Sequence, residues 1–420
     1  MKRRVLILGP VMGLVLAALG SRLVGWSRAV ASPSGSVRVI EPGLTYEVLR
    51  SLAEPVNALT VGPKGSSVQG LVFAGLEGKG GVLRINPAGP TGFTTVALGM
   101  GDFIDFGTCA VNHLEVHDVD GDGLPELLGS TSQVSPMGRP RMYVWATMMS
   151  TPLLRAVARP DIQSSWSHST AFLPRPAVSG GPSARDSAFV TFCGFGEVVE
   201  YRFDEAGGGD GFRQETLFWK KVGQLPHSGE WIQTADADND GRTDVVVATG
   251  YAFNGAAIHI FESKAAGAPL ELRHKIEEDG RFGNVRFLVG DFRGTGAREV
   301  ISWWCTDLAG GDAEMILYRL GPKGVVSREV VARGTASDLW SNDGQFVTGD
   351  TDRDGREEVW FGTLGGSVWK YDPSRASAPV RVARFQSGLG PLAIGPDLIH
   401  LDQPVLYVAA DRSILRFRQK

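Results

Sequence analysis

The sequence predicts an all-β chain of seven repeats, each about 54 residues long, and three observations carry that expectation. Four acidic loops share one nine-residue template. They read Asp118-Val-Asp120-Gly-Asp122-Gly-Leu-Pro-Glu126, Asp236-Ala-Asp238-Asn-Asp240-Gly-Arg-Thr-Asp244, Asp291-Phe-Arg293-Gly-Thr295-Gly-Ala-Arg-Glu299 and Asp350-Thr-Asp352-Arg-Asp354-Gly-Arg-Glu-Glu358. Their first residues are 118, 55 and 59 positions apart, which is one period of roughly 55 to 60 residues with a beat missing. Each loop is followed by two short runs rich in β-branched and aromatic residues and bounded by Gly or Asn, the pattern of paired strands.

Taken in order, the first unit has no acidic loop but carries the strand runs Gly70–Ala74 and Gly81–Ile85. The second follows Glu126 with Leu127–Ser130 and Met142–Trp145. The missing beat falls near residue 178, where position 9 of the template lands on Asp186 and the run Ser187–Phe192 follows; the oxygens of positions 1, 3 and 5 are gone. The fourth, fifth and sixth units continue with Val245–Thr249 and Ala257–Phe261, Val300–Trp304 and Met315–Tyr318, and Val359–Thr363 and Ser367–Tyr371. The seventh is the pair Pro404–Ala409 and Ser413–Phe417, again without an acidic loop. Units of this size match a four-stranded blade, so the expected architecture is a seven-bladed β-propeller. No long stretch shows the 3.6-residue apolar period of a helix, and the 55 Gly and 23 Pro suit many tight turns. A closed ring needs a strand to join its ends, and Val37–Ile40 or Leu44–Leu49 is expected to supply it. The chain is therefore divided into 1–31 as a leader, 32–56 as a linker with a closing strand, and 57–420 as the ring.

Oxygen side chains at positions 1, 3 and 5, Gly at 6 and a carboxylate at 9 suit a cation that takes many oxygen ligands, with Gly permitting the tight curl of the chain. Carboxylates crowded into one turn repel unless a cation sits among them. The expected ligands are Asp118, Asp120, Asp122 and Glu126; Asp236, Asp238, Asp240 and Asp244; and Asp350, Asp352, Asp354 and Glu358. In the remaining loop Arg293 and Thr295 replace two of the oxygens, and Arg293 brings a cation of its own. Three complete copies make the signal specific, although Asp-rich Gly turns also occur without metal.

These loops and their hairpins resemble the FG-GAP (VCBS-type) repeats of integrin α-subunit propellers and of many bacterial secreted proteins. The resemblance spans residues 57–420 in repeat spacing and about nine residues per copy in detail. It implies Ca²⁺ held between the first and second strands of a blade on one face of the ring, and a partner or ligand on the opposite face. The first, third and seventh units depart from the pattern, since they lack a recognisable metal loop.

The N-terminus, Met1-Lys-Arg-Arg4 followed by an apolar stretch from Val5 to Leu19, has the form of a secretory signal, with cleavage expected after Gly20 or Ala31. The product would be secreted or periplasmic, with an uncleaved membrane anchor as the alternative. The net charge of −4 gives no basic footprint for nucleic acid. Cys109, Cys193 and Cys305 match no zinc spacing and read as small buried apolar residues. A monomer is expected.

Upstream of the loops, polar and aromatic residues recur in segments leading into the first strand of each unit. These include His113, His168, His227 with Trp231, Asn284 with Arg286, and Trp340 with Asn342. In a ring they would gather at the mouth of the central channel, away from the acidic loops. One reading makes them a surface for a glycan or protein ligand, with aromatic rings stacking and polar groups orienting. The alternative is a polysaccharide lyase or sugar dehydratase, with His113, His168 or His227 as base and Arg286 as charge partner. The bland reading is that they tie one blade to the next. No nucleophile elbow, phosphate loop, dinucleotide fingerprint or zinc-protease helix occurs.

Overall fold

The computed structural model describes residues 37–419 apart from 53, 78–80, 87–93, 99–108, 120–122, 134–141, 147–152, 159–165, 174–186, 194–195, 204–216, 251–254, 279–283, 307–310, 342–343, 387 and 398–402. The leader and the degenerate loop near residue 178 lie outside this set. The described residues form seven antiparallel sheets, at 56–98, 109–158, 166–224, 228–277, 285–335, 346–385 and 389–419. Within each of these spans the strands pair in sequence order as a local meander, and two earlier strands, Val37–Val39 and Leu44–Ser51, add to the sixth and seventh sheets. The strand runs read from the sequence fall on the second and third strands; Val245–Thr249, for example, lies inside Asp244–Gly250. The described part contains one helical turn, Ala336–Leu339, whose N-terminus is capped by Thr335 Oγ1 accepting from the Asp338 amide.

The sheets form a β-propeller arrangement. The first strands are Val56–Val61, Cys109–His117, Trp166–Leu173, Ser228–Ala235, Val285–Gly290, Phe346–Gly349 and Leu389–Pro396. Each touches the first strand of the next sheet, and the last touches the first. A ring of this kind leaves one seam. Leu44–Ser51 lies on it as the outer strand of the last sheet, antiparallel to Ser413–Gln419, so an early strand and the last strand share one sheet. Tyr46 packs on Phe417 across this pair, at 5.7 Å between ring centroids. The other candidate, Val37–Val39, instead adds a fifth strand to the sixth sheet, beside Val380–Phe385. Pairing of these outer edges removes unsatisfied backbone groups that would otherwise invite foreign strands.

The core lies between sheets. Val72 and Ile85 of the first sheet pack with Tyr407 and Ile414 of the last, and Phe73 and Val82 pack on the other side with Val111 and Leu127 of the second. The alternation of side chains along a strand lets one sheet serve both neighbours. In the fourth to sixth sheets a larger cluster contains the fully buried Trp303, Trp304 and Trp340. Cys305 is buried in that cluster, as the composition suggested; the side chains of Cys109 and Cys193 lie outside the described set.

At the seam the sheets approach closely enough to require glycine. A Cβ on Gly395 would stand 2.3 Å from Val61 Cγ1 and 2.6 Å from Val61 Cβ. Val61 is β-branched and buried, so it cannot swing away. Gly395→Ala is expected to destabilise the fold by about 1–3 kcal/mol, the usual range for overpacking. Urea denaturation checks this; Gly43→Ala is the wrong control, because it carries a left-handed φ of 83°.

Candidate functional site

Two regions concentrate polar chemistry: the four acidic loops and the axis of the ring. Each loop joins the first strand of its sheet to the second. The position-1 carboxylate holds the turn by accepting backbone N–H groups from positions 5 and 6. Asp236 accepts from Asp240 and Gly241 (both 3.0 Å), Asp291 from Thr295 and Gly296 (2.8 and 2.7 Å), and Asp350 from Asp354 and Gly355 (3.0 and 2.9 Å). Asp118 accepts from Gly123 at 2.9 Å. The position-9 carboxylate reaches back to the position-2 amide: Glu126 to Val119, Asp244 to Ala237 and Glu358 to Thr351, at 3.2, 3.0 and 2.6 Å. Gly123, Gly241, Gly296 and Gly355 all have φ between 78° and 87°, which explains the Gly at position 6. Position 4 is also left-handed, at Asn239, Gly294 and Arg353 (φ 60°, 65° and 62°), a requirement the sequence template did not expose.

Carboxylate oxygens converge in two of these loops. Ligand atoms of Asp236, Asp238 and Asp244 lie within 4.8 Å of one another, as do those of Asp350, Asp352 and Glu358. In the first loop Asp118 and Glu126 are described, whereas Asp120 and Asp122 are outside the described residues. Burial, reinforced by the charges of Asp238, Asp240 and Asp236, pushes the Asp244 carboxyl up to about 7. Such crowding is what a cation would relieve. Basic side chains stand around the same loops: His274 Nε2 is 2.9 Å from Asp238, Arg242 is 2.6 Å from Asp240, Lys370 is 2.9 Å from Glu358, and Arg375 pairs with Asp352 and Asp354. At the Asp291 loop the cation is built in, since Arg293 Nη1 donates to the position-9 carboxylate of Glu299 at 2.8 Å. Asn239 ties neighbouring loops together, accepting from the Arg298 amide (2.6 Å) and donating to the Arg298 carbonyl (3.1 Å).

The axis holds a cavity of about 510 Å³ lined by residues from all seven first strands. Cys109–His117 shows how a strand serves core and cavity at once. Leu114 and Val116 are buried against the first sheet, while His113, Glu115 and His117 alternate with them, half-buried, on the cavity wall. His113 Nδ1 accepts from the Thr170 amide at 3.2 Å, and His117 stacks on Phe172 at 4.0 Å. Trp231 reaches across the ring. Its indole meets His113 of the second sheet edge-on at 5.9 Å and Phe346 of the sixth at 4.6 Å. Burial pushes the Glu115 carboxyl up to about 8.

The structure brings together only part of the residue set expected at the channel mouth. His113 and Trp231 line the cavity. Arg286, Asn284 and Trp340 are buried away from it, with 3, 4 and 0 % exposure. Arg286 Nη2 donates to Glu230 at 2.9 Å, its guanidinium lies 5.6 Å from the Trp340 ring, and Ser228 Oγ donates to Glu230 at 2.8 Å. The expected charge partner is thus a tie between sheets: its side chain extends from the first strand toward the preceding sheet, where Glu230 meets it. His227 is half-buried in the turn before Ser228–Ala235 and is not part of the cavity lining. The His168 side chain and Asn342 lie outside the described residues. Glu115 was not among the residues expected at the channel mouth; the signal for it was the alternation His113-Leu-Glu115-Val-His117, which puts three titratable groups on one strand face.

No protein-family model matches the chain, and no curated protein matches it. Among solved structures, the crystal structure of Saccharomyces cerevisiae Sqt1 is similar with a TM-score of 0.50 and 11 % identity, over 89 % of this chain and 97 % of that one. That likeness concerns the fold.

Proposed function

We propose that the protein is an exported, calcium-stabilised, seven-bladed β-propeller of FG-GAP/VCBS type that serves as a binding module for a glycan or protein partner. The observation that carries the reading is the pairing of a ring-shaped scaffold, whose axis holds a sugar-sized cavity, with acidic loops of one repeated geometry between first and second strands. Each of the seven sheets is read as one blade. Ca²⁺ would be held by the four carboxylates of each complete loop, beginning at Asp118, Asp236 and Asp350, where it fixes the turn. The clustered oxygens and the raised Asp244 carboxyl support this. A fully coordinated ion in a turn has no place for substrate, so its role is structural. The secretory-type leader suits weak sites, because dissociation constants of about 10⁻⁴ to 10⁻³ M stay filled outside the cell. The lyase or dehydratase alternative gains nothing from the geometry, since Arg286 is engaged with Glu230 away from the cavity.

A glycan array probed with the full chain in millimolar Ca²⁺ tests the binding reading; binding to a defined set of glycans is expected, and silence there and in a protein pull-down overturns it. The ion assignment has its own check. Isothermal titration of the chelated protein is expected to show three Ca²⁺ per chain, and Arg293→Asp combined with Thr295→Asp to raise this to four. An unchanged stoichiometry would show that the template is not what holds the ion.

A further inference from the structure

The cavity wall carries two polar groups of opposite character. Glu115 places a carboxyl in a cavity whose described lining contains no lysine or arginine. Ionising a carboxyl in such surroundings is costly, and a hydrogen-bonded cation offsets part of that cost. Trp231, 6 % exposed, has an indole Nε1 buried without an acceptor. Buried donors are ordinarily satisfied, so an unpartnered one on a cavity wall marks the place for an acceptor atom. Around these two groups the wall combines stacking faces, Trp231 and Phe346, with short polar side chains that suit hydroxyl groups, among them Asn57, Thr60 and Gln233. The Oε1 of Gln233 accepts from the Val289 amide at 2.9 Å, which leaves its Nε2 hydrogens to point elsewhere. A volume of about 510 Å³ accommodates a mono- or disaccharide.

From this juxtaposition we infer that the axial cavity binds a hydroxylated primary amine of sugar size, the class of unacetylated amino sugars, with the ammonium on Glu115 and a ring oxygen or hydroxyl accepting from Trp231. The inference rests on the binding-module reading and names the ligand chemistry of that same ring. A neutral sugar offers nothing that favours the ionised form of Glu115, and an N-acetylated one replaces the ammonium with an amide. A sugar acid sets two carboxyl groups against each other. The raised Glu115 carboxyl agrees with a group that gains by meeting a cation. His113 and His117 share its strand face, and both are engaged, with the Thr170 amide and with Phe172.

The experiment is isothermal titration calorimetry on the full, Ca²⁺-loaded chain with glucosamine, N-acetylglucosamine, glucose and glucuronic acid. Glucosamine is expected to bind at least tenfold more tightly than the other three. Glu115→Gln, close to isosteric and neutral, is expected to fold and to lose at least tenfold in glucosamine affinity. Trp231→Phe keeps a ring and removes the N–H, and a loss of several-fold is expected. A melting curve for each variant confirms that the ring is intact. No glucosamine binding, equal binding of N-acetylglucosamine, or unchanged affinity in Glu115→Gln overturns the inference. If the glycan array is positive for neutral or acidic glycans while these titrations fail, the binding-module reading stands and only the cavity assignment falls.

Discussion

Removing divalent ions is expected to lower the melting temperature by about 5–10 °C. The size follows from linkage: at ten to a hundred times the dissociation constant, each site adds about 1.4–2.7 kcal/mol, or about 4–8 kcal/mol for three. An unfolding entropy of about 2.1 cal/mol/K per residue converts this into the stated shift for a ring of this size. Differential scanning calorimetry with and without EGTA measures it, and coincident curves would remove calcium from the account. The ion-free protein should also carry a pH signature. The Asp244 carboxyl sits at about 7 in the folded state, above the ordinary value of an unfolded aspartate, 3.8. The folded state therefore binds the extra proton between these values, and stability falls as pH rises from about 4 to about 7. Chelated wild type should thus lose more stability than chelated Asp244→Asn between pH 5 and pH 8. With Ca²⁺ bound the carboxylate is wanted in its ionised form, and the difference should vanish or reverse.

The second large effect is expected at the buried pair of Glu230 and Arg286. Both are nearly excluded from water, at 2 and 3 % exposure, and they join the fourth sheet to the fifth. Removing one member of such a pair costs about 3–5 kcal/mol, because a buried charge loses its compensating partner. Glu230→Ala is expected to destabilise by that amount in urea denaturation, whereas Glu230→Gln with Arg286→Met should restore most of it. The same variants separate two roles for Arg286. A structural tie predicts lost stability with ligand affinity kept at temperatures where the variant is folded. A ligand contact predicts the opposite, lost affinity at full stability.

How far the sequence could be read depended on the range of the interaction. Asp236 and Asp350 stabilise their turns through amides four and five residues away, and Asp244 and Glu358 through an amide seven away. Such contacts are written into a nine-residue window, and the strand runs after them follow from local preference and alternation. Even Arg293 was recognisable as an intruder among oxygen ligands. The partners of the lead-in residues were not. Arg286 meets Glu230 across 56 residues, and Trp231 meets His113 and Phe346 across more than a hundred. Position within a repeat suggested that these side chains converge, but which face of the strand each occupies depends on bulges such as those at Val111/His113 and Gly229/Trp231.

The chain by itself determined a repeating β unit, its period, its acidic turns and two candidates for closing the ring, because each depends on neighbours within one hairpin. Tertiary structure alone decided that Leu44–Ser51 rather than Val37–Val39 completes the last sheet, that Trp231 stands across the axis, and that Glu115 faces a cavity whose described lining holds no lysine or arginine. Those outcomes depend on seven sheets meeting around a common axis, where residues far apart in sequence become neighbours.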